Sequence, residues 1–143
     1  MARRPIGAAS EGTSREGFEN FTLRLPAAQS DRMAKFATRH RLSVGEMFTF
    51  GLNAAAVKAD GSDRRMIDYG KLNALLEDNA SGVIAHSGRF YLSEVGRIKT
   101  FRRAHNLSLP LLLVYLMDEI GVAPDGAGLM WIDYETLSIR ERA

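Results

Sequence analysis

Cysteine is absent from this chain of 143 residues, which excludes disulfide frameworks, cysteine-ligated zinc and thiol catalysis. Long apolar runs are absent too. The longest candidate, Leu109 to Met117, is interrupted by Pro110 and followed by Asp118 and Glu119, far short of the roughly 20 residues that cross a bilayer. Met1-Ala-Arg-Arg-Pro5 has no apolar stretch behind its charges, so it does not read as a secretory signal. Neither Gly7-Ala-Ala-Ser10 nor Asp125-Gly-Ala-Gly128 carries the Gly-Lys-Ser/Thr ending of a phosphate loop. Asp118, Glu119, Asp133 and Glu135 have no nucleophile or base placed beside them by any motif, and the three histidines lie outside any metal-ligand spacing. These absences lead us to expect a cytoplasmic protein without membrane segment, cofactor or metal, and not an enzyme.

Charge is present and unevenly placed. The formal net charge is only +2, but residues 1–58 hold nine Lys/Arg against five Asp/Glu, and residues 87–110 hold five against one. Residues 59–86 and 111–143 are acidic in compensation. Such alternation suits a molecule with one face turned to a polyanion. The basic residues are 15 Arg and 4 Lys, and the planar guanidinium fork suits phosphates and guanine edges better than an ammonium does.

The chain also repeats itself. With Arg24 placed over Arg89, Arg32 falls on Arg97, Phe36 on Phe101, His40 on His105, Leu42 on Leu107 and Ser43 on Ser108. Met33/Ile98, Met47/Leu112, Phe50/Tyr115 and Leu52/Met117 follow conservatively in the same register, without a gap across about 29 positions. Each copy predicts strand, helix, turn, helix. Phe21, Leu23 and Leu25 alternate with Thr22 and Arg24 as in a half-buried strand that Pro26 ends. Met33, Phe36 and Ala37 mark an amphipathic helix from Ala27 to His40. Ser43-Val-Gly-Glu46 is a capping box opening a second helix, expected to end near Asp60-Gly61. In the second copy Arg89-Phe-Tyr-Leu92 precedes a helix from Ser93 to about His105. A cap at Ser108 then opens an apolar helix with Pro110 in its first turn, running to Ile120-Gly121. The second strand is weaker by pattern, because Gly88 stands where the first copy has Leu23. One strand on two short helices cannot be stable alone. Two copies pair their strands antiparallel and bury four helices beneath them.

At Phe21-Thr-Leu-Arg-Leu-Pro26, the Met33/Phe36/Ala37 helix and Leu42-Ser-Val-Gly-Glu46, the chain resembles the ribbon-helix-helix DNA-binding family, which includes the Arc and methionine repressors. The resemblance covers residues 20–56 well and 87–120 more loosely. In that family two identical chains each give one strand. Two motifs in one chain imply a single-chain pseudo-dimer, mainly α with a two-stranded antiparallel ribbon, similar to the enhancer-binding virulence proteins of T-DNA transfer systems.

The resemblance further implies that the ribbon enters the major groove of double-stranded DNA. Base contacts would come from Asn20, Thr22 and Arg24 of the first strand and from Ser87, Arg89 and Tyr91 of the second. Flanking phosphates would meet the starts of the second helices, at Ser43, Val44, Gly45, Ser108 and Leu109, together with Arg41. Leu111 departs from the pattern, since it stands where Glu46 closes the first capping box.

The remaining segments carry their own expectations. Residues 1–18, with Arg3, Arg4 and Arg15, read as a flexible basic arm, and 61–85 as a linker whose Ile67, Leu72, Leu75 and Leu76 form a short helix. Residues 122–143 turn at Pro124-Asp-Gly126 and pack on the bundle, with Trp131 in the core. The motifs proper occupy 19–60 and 86–121. His40 and His105 are expected to interact with the last carbonyls of their own helices. The expected use is binding alone, as a repressor or as an accessory factor organising plasmid or T-DNA transfer or partition. A rival reading is an antitoxin-like module that meets itself or another protein through residues 129–143.

Overall fold

In the computed structural model, residues 17–127 and 132–139 are described. Among them lie five helices and four strands: β1 (Phe18–Pro26), α1 (Ala27–His40), α2 (Val44–Ala54), α3 (Tyr69–Glu77), β2 (Val83–Tyr91), α4 (Leu92–His105), α5 (Leu109–Glu119), β3 (Ile132–Asp133) and β4 (Ser138–Ile139). No helix among the described residues is long and apolar enough to cross a membrane.

β1 and β2 pair antiparallel along their whole length, from Phe18 opposite Tyr91 to Pro26 opposite Val83. Adding 65 to the bounds of β1, α1 and α2 gives the bounds of β2, α4 and α5. The second strand is thus as long as the first despite its weaker pattern, and it begins earlier than the sequence suggests. Its partner supplies the ladder, and Gly88 is occupied rather than empty. The Phe21 ring takes the space a side chain would fill there, 2.5 Å from where a Cβ would stand. From that seat it stacks on Phe90 at 4.3 Å and meets Phe48 edge-on.

The inner ribbon face, through Leu23, Leu25 and Phe90, closes one core with Met33, Phe36, Phe48, Phe50, Ile98, Phe101, Leu112 and Leu113. α2 and α5 cross tightly at Gly51, where a Cβ would lie 2.7 Å from the Leu116 Cβ. These two residues are themselves 65 apart, so a small residue meets a large one where the copies touch.

Helix ends follow local chemistry. The Ser43 Oγ accepts the Glu46 amide and the Glu46 carboxylate accepts the Ser43 amide, completing the expected box; Ser108 accepts only the Leu111 amide. All four repeat helices close with a left-handed residue: Arg41, Ala56, Asn106 or Gly121. After each, the next amide reaches back to close the turn, as Val57 does to Leu52 and Val122 to Met117. α2 therefore ends at Ala54, ahead of the Asp60-Gly61 end that the sequence suggests. The early exit delivers the Val57 carbonyl to the opposite copy.

That delivery is reciprocal. The buried Arg32 of α1 donates through Nε and Nη2 to the Val122 carbonyl at 3.1 and 2.6 Å, and through Nη1 to Gln29. Arg97 of α4 donates to the Val57 carbonyl at 2.5 Å, to the Lys58 carbonyl and to Asn53. Burial holds both guanidinium groups below their ordinary pKa. Tyr69 donates to the His105 carbonyl and Tyr134 to the His40 carbonyl. Gly61 and Gly126, both at positive φ, lie against the backbones of α4 and α1 respectively. Each copy's tail thus runs across the first helix of the other. The correspondence therefore extends past the second helices, beyond the span that the sequence alignment covered, and reaches Tyr69 and Tyr134. In sequence it takes in Ile67/Ile132 and Asp68/Asp133. Beyond the tyrosines the tails diverge, into α3 in one copy and the β3–β4 hairpin in the other.

His40 and His105 stand in the last turns of α1 and α4. Tyrosine hydroxyls take the histidines' carbonyls, while the His105 Nε2 bonds the Asp63 carbonyl at 2.9 Å. Both imidazoles lie on phenylalanine rings, His40 on Phe36 and His105 on Phe101. The basic arm is corrected at its end, since Phe18 is the first residue of β1. The rest of the arm's residues 1–16 fall outside the described residues, as do Leu129, Met130 and Trp131.

Candidate nucleic-acid interface

Alternation along the ribbon decides which side chains face away from the helices. With Leu23 and Leu25 buried, Asn20, Thr22 and Arg24 point outward and are exposed. The register then brings the second strand's residues beside them: Arg89 opposite Asn20, Ser87 opposite Thr22 and Ala85 opposite Arg24. Ser87 and Arg89 are exposed and Tyr91 is half-buried. All six sequence-predicted base-contact residues therefore share one ribbon face.

The face is not symmetric. Arg24 and Arg89 occupy matching places in the repeat, yet they do not meet. Arg24 pairs with Ala85, four residues from Arg89 along β2, which is about 13 Å of strand. Arg24 has a methyl group beside it. Arg89 has Asn20 across from it, and its guanidinium lies over the Phe18 ring at 5.1 Å. Phe18 in turn packs on Tyr91 at 5.2 Å. Phe18 and Ala85 thus belong to the face although the sequence reading named neither. Carrying the alternation of β1 two residues back from Asn20 reaches Phe18.

The helix starts flank this face. Gly45 approaches so closely that a side chain there would strike the Arg89 carbonyl. The ribbon and the first turn of α2 are therefore one continuous surface. Of the predicted phosphate residues, Ser43 is exposed with its own amide and hydroxyl engaged in the capping box, leaving the Val44 and Gly45 amides outside it. At α5, Pro110 has no amide hydrogen and the Leu111 amide is held by Ser108, while no carboxylate at Leu111 takes the Ser108 amide, so Ser108 and Leu109 are the remaining donors of that turn. Leu109 is buried and Arg41 exposed.

No family model, curated protein or solved structure matches this chain. Its reading therefore rests on the geometry of the face itself. Among the described residues no group of three His, Asp or Glu side chains could hold a metal ion.

The C-terminal hairpin packs on the body. Ile132 is buried, and Asn53 Nδ2 donates to the carbonyls of Thr136 and Leu137 at 3.0 and 2.7 Å. Its turn stands beside the start of α2, where Glu135 joins Glu46 and Glu94 around a cleft.

Proposed function

We propose that this protein binds double-stranded DNA sequence-specifically by inserting the β1–β2 ribbon into the major groove, the two repeat units forming an intramolecular ribbon-helix-helix pseudo-dimer. The observation that carries this reading is the shared outward face of Asn20, Thr22, Arg24, Ser87, Arg89 and Tyr91, free of the core and bearing two arginines. An antiparallel ribbon fits the major groove, where arginine reads guanine bidentately and asparagine reads adenine. The spacing of about 13 Å between the arginines matches roughly four base-pair steps of 3.4 Å. The reciprocal bonds of Arg32 and Arg97 support the pseudo-dimer, because each is made by equivalent atoms to the opposite copy.

The protein acts by occupancy, as a repressor or as an accessory factor in DNA transfer or partition. The antitoxin-like reading needs residues 129–143 to be presented to a partner. The inward bonds of Tyr134 and of the Thr136 and Leu137 carbonyls favour the DNA reading instead. The test is an electrophoretic mobility series on random-sequence duplexes at rising salt. A retained complex that weakens steeply with salt is expected from counterion release; no retention at low salt would reject the reading.

A further inference from the structure

Residues 65 apart occupy matching positions, so the two flanks of the ribbon can be compared side chain by side chain. The cleft at the start of α2 is bordered by Glu46, Glu94 and Glu135. The matching positions of Glu46 and Glu94 on the other flank are Leu111 and Gln29, both uncharged, and Glu135 belongs to a hairpin that the first copy replaces by α3. α4 shows the opposite bias toward its C-terminal end. There Lys99, Arg102 and Arg103, with Asn106 and Leu107, line an open depression at the end of α4 and the turn that precedes α5. On α1 the same three positions are Ala34, Ala37 and Thr38; the basic residues there are Lys35, paired with Asp31, and Arg39 and Arg41, which face an α2 start carrying Glu46. Glu94 and Arg103 lie about 13 Å apart along α4, so one helix runs from an acidic neighbourhood to a basic one.

The basic residues are placed to be used. Lys99 and Arg103 are exposed. Lys99 meets Glu19 in a surface pair at 3.3 Å, which costs little to exchange for another anion. Arg102 donates its Nε to the Leu107 carbonyl at 3.0 Å, which fixes the guanidinium over the α4–α5 turn.

We propose that the protein grips the duplex backbone from one side. Lys99, Arg102 and Arg103 hold phosphates on the flank served by α5, while Glu46, Glu94 and Glu135 keep phosphates away from the start of α2. The inference rests on the DNA reading above and adds a direction to it. Fused in one chain, unequal flanks set a single orientation on an asymmetric site.

A duplex recovered by selection from a random pool, with single phosphates neutralised one at a time as methylphosphonates, tests this. Wild-type protein should lose affinity on one flank only. The Lys99→Ala/Arg103→Ala variant should lose that flank's sensitivity and lower the slope of log affinity against log salt by about 1.8. Glu94→Gln/Glu135→Gln should create sensitivity on the opposite flank. Losses of equal size on both flanks, or an unchanged slope in the lysine–arginine variant, would overturn the one-sided grip while leaving DNA binding intact. Failure of the wild type to retain any duplex would overturn both.

Discussion

Arg24→Ala and Arg89→Ala separate a base reader from a solvated charge, and the structure predicts that they differ in size. A bidentate arginine–guanine contact contributes about 1–3 kcal/mol of discrimination. Arg24 is exposed beside Ala85 and has no hydrogen bond or ion pair among the described residues to give up, so it should express that range. Arg89 must leave the Phe18 ring, a cation–π contact that contributes roughly 0.5–1 kcal/mol at exposed sites. Its truncation should therefore cost about 0.5–1 kcal/mol less than that of Arg24 where both read guanine. Phe18→Leu, by releasing the guanidinium, should narrow the gap. Both arginines are on the surface, so thermal stability should move by no more than about 0.5 kcal/mol. The assay is fluorescence anisotropy on a selected duplex at fixed salt, repeated as a salt series, with thermal denaturation of the same preparations. Unchanged affinity in both alanine variants would refute the ribbon as reader, as would a loss of affinity that merely tracks unfolding.

Three further expectations concern the scaffold. Arg32→Met keeps an apolar stem but strips the Val122 carbonyl of its donors, and should cost about 2–3 kcal/mol by thermal unfolding, against about 1–2 for the more exposed Arg97→Met. Equal and negligible losses would deny the swapped clamps a structural role. Gly51→Ala should destabilise by about 1 kcal/mol, because overpacking on the Leu116 Cβ outweighs the gain in helix propensity. In a Leu116→Gly background, which removes that Cβ, the same change should become stabilising, and a denaturant series that shows no reversal would contradict the close crossing. Ala56→Gly relieves a left-handed alanine at φ 59° and should raise stability by about 1 kcal/mol; a lower melting temperature would refute the conformation assigned there.

Much of the architecture was legible because apolar spacing carries it. Leu23/Leu25, Met33/Phe36 and Met47/Phe50 define buried faces that can be read without coordinates, and the offset of 65 transferred each element to the second copy. What escaped was carried by other kinds of residue. The tails match through Val57/Val122, Asp60/Asp125, Gly61/Gly126 and Tyr69/Tyr134, which are turn, cap and hydrogen-bonding positions lacking helical periodicity. An alignment followed by apolar spacing stops before them. Gly88 misled for a related reason. A missing side chain looks like a weak strand until Phe21, from the neighbouring strand, is seen to fill its place.

For the candidate site, alternation identified the outward residues, but register decided their company. Nothing in the order of residues tells that Arg24 faces Ala85 while Arg89 faces Asn20 and lies over Phe18. The charge difference between flanks was equally hidden. Glu135 comes from the C-terminal hairpin and Glu94 from the start of α4, and only folding brings them beside Glu46.

The central idea is that one polypeptide supplies both reading strands of a DNA-binding ribbon. Selection of randomised duplexes by the intact chain, followed by sequencing, tests it most directly. The expected outcome is an enriched site with two unlike guanine-bearing halves, lost when Arg24 and Arg89 are both replaced by alanine. A pool that stays random through successive rounds, or one enriched equally by the double variant, would contradict it.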